Sequence, residues 1–191
     1  MKNNILLSFT TLNGTQRNTC FYYNRMLVGL KQPSNQFMEA GKATHEKFSK
    51  LKKLPFDLDF PSSEVHFKKP YKNGYILHGF ADRANYKNKS LLELKSVSKK
   101  LWSNSDMDKS FQPVYYSFVS SFRKVFLLTT KFDLSEAKLF YREYTDADWK
   151  RVEKWTDEII NKIETVDWKT LTCSGDCPYK FNCIIFNKNN V

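Results

Sequence analysis

The sequence predicts an α/β (α+β) fold: a mixed central sheet with helices on its faces, built as one domain. Three observations carry that prediction. The chain has 191 residues, which suits one compact domain with a real core. Segments with strand-type alternation recur between segments with helical spacing. No repeat, low-complexity tract or linker divides the chain, so residues 1–191 read as a single domain.

The elements follow in order. Residues 4–30 read as a helical segment around Cys20. Ser34 reads as the N-cap of a helix over about 35–53, stopped by Pro55. Phe37, Gly41, His45, Phe48 and Leu51 fall on one face of that helix. A strand near 63–68 follows, and the turn Lys72-Asn73-Gly74 leads into strands at about 75–85 and 90–97. The next helix starts near 107–112 and runs to about 122; Pro113 fits its first turn, where the missing N–H costs little. Strands near 124–130 and 137–143 come next. Thr145 and Asp148 resemble a capping box for an amphipathic helix to about Glu164. Trp149, Val152, Trp155, Ile159 and Ile163 form its apolar stripe and read as core.

The formal charge is +11, from 31 Lys and Arg against 20 Asp and Glu. That excess favours a polyanionic partner, nucleic acid first and an anionic membrane second. Compositional bias is the plain alternative, because Lys, Asn, Phe and Tyr are all plentiful. The longest N-terminal apolar run, Ile5-Leu6-Leu7, is too short for a signal sequence or a membrane span. A soluble, cytoplasmic protein is therefore expected, in host cytoplasm if the chain is viral. In a reducing compartment the four cysteines need a reason other than disulfides.

The most informative stretch is residues 79–95, GFADRANYKNKSLLELK. It holds Asp82, then Glu93 and Lys95. Strand side chains alternate, so Glu93 and Lys95 share a face. A hairpin turning at Lys87-Asn88 sets Asp82 opposite Glu93, and one turning at Asn88-Lys89 sets it opposite Lys95. In either register all three side chains come to one face, with cross-strand partners about 5 Å apart. Two carboxylates that close suit Mg²⁺ or Mn²⁺, and the ammonium beside them can hold a water. A salt-bridged surface hairpin is the plainer reading of the three residues alone. Gln112 and Tyr116 form an i, i+4 pair on the helix that follows.

The order G-x-x-x-H, D, E-x-K, Q-x-x-x-Y resembles the RecB-type branch of the PD-(D/E)XK nucleases. The resemblance is to the small CRISPR-associated RecB-like exonucleases and their relatives in viruses and phages. It rests on GKATHE (41–46), GFAD (79–82), LLELKS (91–96), QPVYY (112–116) and the cysteines. The opening LSFTTLNGTQRNTCFYYNRM (7–26) shares the look. Ala81 stands where many members have Pro, and Phe21 follows Cys20 where Pro is frequent.

The resemblance implies a restriction-endonuclease-like core with a divalent metal held by Asp82, Glu93 and the Leu94 backbone carbonyl, and by His45 as an added ligand. Lys95 would position a water, and Gln112 and Tyr116 would orient Lys95 or a DNA phosphate. Asp82, Glu93, Lys95 and His45 are thus the expected catalytic set. The implied function is a Mg²⁺- or Mn²⁺-dependent DNA exonuclease, acting on single-stranded DNA and leaving 5′-phosphate and 3′-hydroxyl ends.

Cys20 with Cys173, Cys177 and Cys183 resembles the family's [4Fe–4S] clasp, which would tie the N-terminal segment to the C-terminal one as a metal-cluster subdomain. Three residues separate Cys173 from Cys177, one more than usual, which leaves Zn²⁺ as the other occupant. The alternative function is a DNA-binding Fe–S module in a larger complex, with a CRISPR integrase or a recombination helicase as partner and little or no nuclease activity.

Overall fold

The structure, a computed structural model, describes residues 4–168, 171, 178–179 and 182–183. It falls into two compact units, one centred on Asn35–Val152 and the other on Leu7–Ser34 with the chain from Glu153 onward. The first unit carries the sheet. Its strands are β1 (Ile5–Ser8), β2 (Ser62–Pro70), β3 (Tyr75–Asn85), β4 (Ser90–Val97), β5 (Lys124–Lys131) and β6 (Ala137–Glu143). The order is β1-β3-β4-β5-β6, with β2 paired to β3. β4 and β5 run parallel, whereas β2–β3, β3–β4 and β5–β6 are antiparallel. The predicted mixed sheet is therefore present, and β3 and β4 have the predicted bounds.

The helices are α1 (Phe9–Arg17), α2 (Thr19–Tyr22), α3 (Gln36–Ser49), α4 (Asn104–Lys109), α5 (Gln112–Ser120) and α6 (Asp146–Thr165). Two apolar layers sandwich the sheet. On one side Leu92, Leu94 and Leu128 pack with Phe48 of α3, Leu54 and Phe60. On the other, Ala84, Leu91 and Val125 pack with Phe122 and the partly buried Tyr116 of α5. Adjacent β4 residues thus face opposite layers, as a strand buried on both faces requires.

Several local expectations shift. The cap of α3 is Asn35, not Ser34: Asn35 Oδ1 accepts from the amides of Phe37 (3.1 Å) and Met38 (3.0 Å). The helix stops at Ser49, short of 53, for a tertiary reason. The buried Arg83 guanidinium donates to the carbonyls of Phe48 (3.0 Å), Ser49 (3.0 Å) and Leu51 (2.8 Å). It takes over carbonyls that a continuing helix would have bonded internally. The expected 107–122 helix is two, α4 and α5. Pro113 has no N–H for the Lys109 carbonyl, so the chain breaks at Ser110-Phe111 and restarts. Thr145 and Asp148 do form the capping box of α6, with reciprocal bonds of 2.9 and 3.3 Å.

Arg83→Met should lower the thermal midpoint, because it strips three carbonyls of a charged donor. The expected cost is about 1.5–3 kcal/mol, and each kcal/mol shifts the midpoint by about 2–4 °C in a chain this size. An unchanged midpoint in scanning calorimetry would show that Arg83 does not hold the end of α3.

Beyond the end of β1, the elements described in the second unit are helical. The sequence suggests a helical segment over 4–30, and the structure corrects this. The segment opens as strand β1, then forms α1, α2 and a π-turn at Tyr23–Leu27. Within the unit, Phe9 packs on Trp155 of α6, and Lys162 Nζ donates to the Gln16 carbonyl at 3.4 Å. Gly14 allows α1 to meet Phe21: a Cβ there would lie 2.5 Å from its ring. Among the described residues no helix is long and apolar enough to cross a membrane.

Candidate active site

The ladder between β3 and β4 runs only from Asn85↔Ser90 to Arg83↔Leu92. This register belongs to a turn centred on Lys87-Asn88, and one further step sets Asp82 opposite Glu93. There the two strands part. Leu94 N–H, aimed at β3 beyond the ladder, is met by the side chain of Asp82: Oδ2 accepts it at 2.6 Å. The other oxygen, Oδ1, is bonded to His45 Nδ1 at 2.7 Å. The Asp82 carboxylate therefore lies in the fork of the sheet and links β3, β4 and α3.

Simple alternation places Asp82, Glu93 and Lys95 on one face, and the structure corrects this. Ala81 and Ala84 both pack in the Tyr116 layer, so alternation lapses between them and Asp82 reaches toward α3. Glu93 and Lys95 keep their common face. Glu93 sits between Leu92 and Leu94 and is 3 % exposed. Its Oε1 has no hydrogen-bond partner among the described residues. Burial pushes its carboxyl well above the usual range, the nearby Asp82 pushes it further, and Lys95 pulls it back. Burial and the neighbouring Asp82 thus both favour the neutral form of the Glu93 carboxyl when no cation is beside it.

Lys95 Nζ donates to Gln112 Oε1 at 2.6 Å, and Gln112 Nε2 donates to Tyr116 Oη at 3.0 Å. Both ends of the Gln112 amide are thus engaged inside the protein. Burial raises the Tyr116 phenol far above its ordinary value, and the Glu93 charge raises it further, so it stays neutral. Gly79 makes room for this ring: a Cβ there would lie 2.6 Å from it. A glycine inside a strand is the sequence signal of that close approach. Gly41, by contrast, is not required for space, since an added Cβ would make ordinary contact with Ser96 Oγ at 3.5 Å.

The donor set suits a hard divalent cation. Glu93 offers an unengaged carboxylate oxygen beside Asp82, and oxygen ligands of this kind are what Mg²⁺ and Mn²⁺ take. His45, joined to Asp82, is the remaining candidate ligand. Among the described residues no ready-made cluster of three or more His, Cys, Asp or Glu stands in metal-holding positions.

Cys20 and Cys183 lie in the second unit. Both are buried, and neither forms a disulfide. The buried Asn24 side chain links them: its Nδ2 donates to the Cys20 carbonyl at 2.8 Å and to Cys183 Sγ at 3.2 Å. Cys173 and Cys177 lie outside the described residues.

No protein-family model and no curated protein matches the chain. Solved structures do. The protein solved as SSO0001 is similar with a TM-score of 0.66 at 15% identity, over 97% of this chain and 89% of that one. The alkaline exonuclease LHK-Exo from Laribacter hongkongensis, in its complex with dAMP, is similar with a TM-score of 0.54 at 14% identity, over 83% of this chain and 87% of that one. A phage-related exonuclease from Haemophilus somnus 129PT is similar with a TM-score of 0.53 at 11% identity, over 81% and 82%. The chain thus has a fold that exonucleases share.

Proposed function

We propose that the chain is a Mg²⁺- or Mn²⁺-dependent DNA exonuclease, acting on single-stranded DNA and leaving 5′-phosphate and 3′-hydroxyl ends. The observation that carries the reading is the buried Glu93 carboxylate, with an unpartnered oxygen, set beside Asp82 and Lys95 at the fork of the sheet. A purely structural ion pair would not have left the orphaned oxygen. The shared exonuclease fold adds to it.

Asp82, Glu93 and the Leu94 carbonyl, with His45, would hold the metal. Bound there, it would polarise the scissile phosphate and lower the pKa of a water. The residues of the chain do the rest. Leu94 N–H and His45 fix the rotamer of Asp82. Lys95 directs its ammonium at the attacking water and offsets charge that builds in the transition state. Gln112 holds Lys95 in place and so acts as a positioning residue, anchored by the neutral Tyr116. The basic surface supplies affinity for the phosphate backbone.

In the second unit, the buried Cys20 and Cys183 would be two ligands of a [4Fe–4S] cluster, with Cys173 and Cys177 as the other two. Iron, sulfide and zinc measured per chain distinguish that cluster from Zn²⁺.

The test of the function is digestion of end-labelled single- and double-stranded DNA with Mn²⁺ or Mg²⁺, at low and physiological salt. Stepwise shortening of the single strand, abolished by chelator, is the expected result. Its rate at limiting DNA should fall steeply with salt, as counterion release requires. Full activity in excess chelator, or binding without cleavage under every metal, contradicts the reading.

A further inference from the structure

Phe80 is 56 % exposed in the middle of β3, between the buried Gly79 and Ala81. Gly79 and Ala81 face Tyr116, so Phe80 projects from the opposite face. That is the face covered farther along by α3, toward which the Asp82 carboxylate also reaches to meet His45. Phe80 precedes Asp82 by two residues, a step of about 7 Å along a strand. The core does not account for an apolar ring in this place.

The ring is not alone. His66 is its direct cross-strand partner on β2, and the two stack with centroids 4.2 Å apart and planes 10° from parallel. His66 is held in turn by His78, the next residue of β3 on this face: Nε2 of His66 and Nδ1 of His78 are 3.1 Å apart, and their rings meet edge to face. Lys68, exposed, pairs across from His78. The result is a preassembled aromatic plate beside Asp82, with the exposed Lys68 two residues along β2 from His66 on the same face. A flat ring whose back is already stacked loses little conformational freedom when a second flat group lands on its open side.

Resting on the nuclease reading above, we infer that Phe80, backed by His66, is a stacking platform for the unpaired nucleobase next to the scissile phosphate. Lys68 would lie along the adjacent backbone phosphates. A base within a duplex keeps its faces against its neighbours, so the platform selects single-stranded ends. Stacking tolerates any base, because every base has a π-face.

The experiment compares wild type with Phe80→Ala and Phe80→Trp on a labelled oligothymidylate and on the same backbone made abasic. Binding is measured in chelator and cleavage in Mn²⁺. Phe80→Ala should weaken oligothymidylate binding by about 5- to 150-fold, the range for one stacked base. It should leave abasic binding unchanged, and Phe80→Trp should restore affinity. Phe80 is exposed, and equal thermal midpoints for the three proteins establish that they fold alike. If Phe80→Ala binds and cleaves oligothymidylate like wild type, the platform is refuted while the nuclease stands. Equal weakening of both ligands refutes the platform in the same way. If wild type neither binds nor cleaves either strand, the function reading fails and the platform with it.

Discussion

Glu93→Gln should abolish DNA cleavage, by more than about a thousandfold, and should make the metal-free protein more stable at neutral pH. The two effects have one cause. The site sequesters a carboxylate with an unpartnered oxygen next to a second carboxylate, which costs the empty protein and benefits the loaded one. Removing the ionisable group relieves the cost of keeping it from ionising, and each kcal/mol relieved raises the midpoint by about 2–4 °C. The pH dependence has a definite sign. Glu93 keeps its proton in the folded chain at pH values where the unfolded chain, ionising near 4.5, has lost it. The folded state then binds more protons, so stability is full below that pH and falls as pH rises toward the elevated folded value. Glu93→Gln should flatten that slope. A variant that loses activity and also melts earlier at every pH would show that Glu93 supports the core.

Lys95→Ala should reduce cleavage by about 10²- to 10³-fold, the usual consequence of losing one preorganised group that meets developing charge. Metal affinity should hold or improve, because the ammonium is not a ligand and its removal leaves the carboxylates less compensated. The Glu93 carboxyl should rise further, since Lys95 is what pulls it down. Lys95→Arg should not rescue. The 2.6 Å bond from Nζ to Gln112 Oε1 fixes a compact point charge, which a longer, planar guanidinium does not reproduce. Rates near wild type in Lys95→Ala at saturating Mn²⁺ would remove Lys95 from the chemistry.

Much of this arrangement can be read from residue order, and the reasons are local. Asn85, the four-residue turn and Ser90 bound two strongly alternating runs, so the extents of β3 and β4 follow from pattern. The capping box from Thr145 to Asp148 is a four-residue signal and needs no tertiary context. The parts that pattern misses are made by contacts between distant residues. Arg83 ends α3 from across the sheet, which no helix-stop rule detects. Strand β1 exists because β3 has an edge for it, and the four residues ILLS carry too little period to announce that. The fork at Asp82 breaks alternation, so in place of a common face a carboxylate reaches between two strands toward α3. Spacing identifies Asp82, Glu93 and Lys95, but the burial of Glu93 depends on Leu91, Leu92 and Leu94 being covered on both sides. Phe80 has only a faint sequence signal, an aromatic two residues before the acid, because its partner His66 is set by the β2–β3 register.

The most direct test of the central claim, that Asp82 and Glu93 together hold a divalent cation, is Mn²⁺ binding itself. Free Mn²⁺ can be followed by electron paramagnetic resonance during titration of wild type, Asp82→Asn and Glu93→Gln. The wild type should deplete the free signal through a site that both variants lose while remaining folded. Equal depletion by all three proteins would contradict the claim.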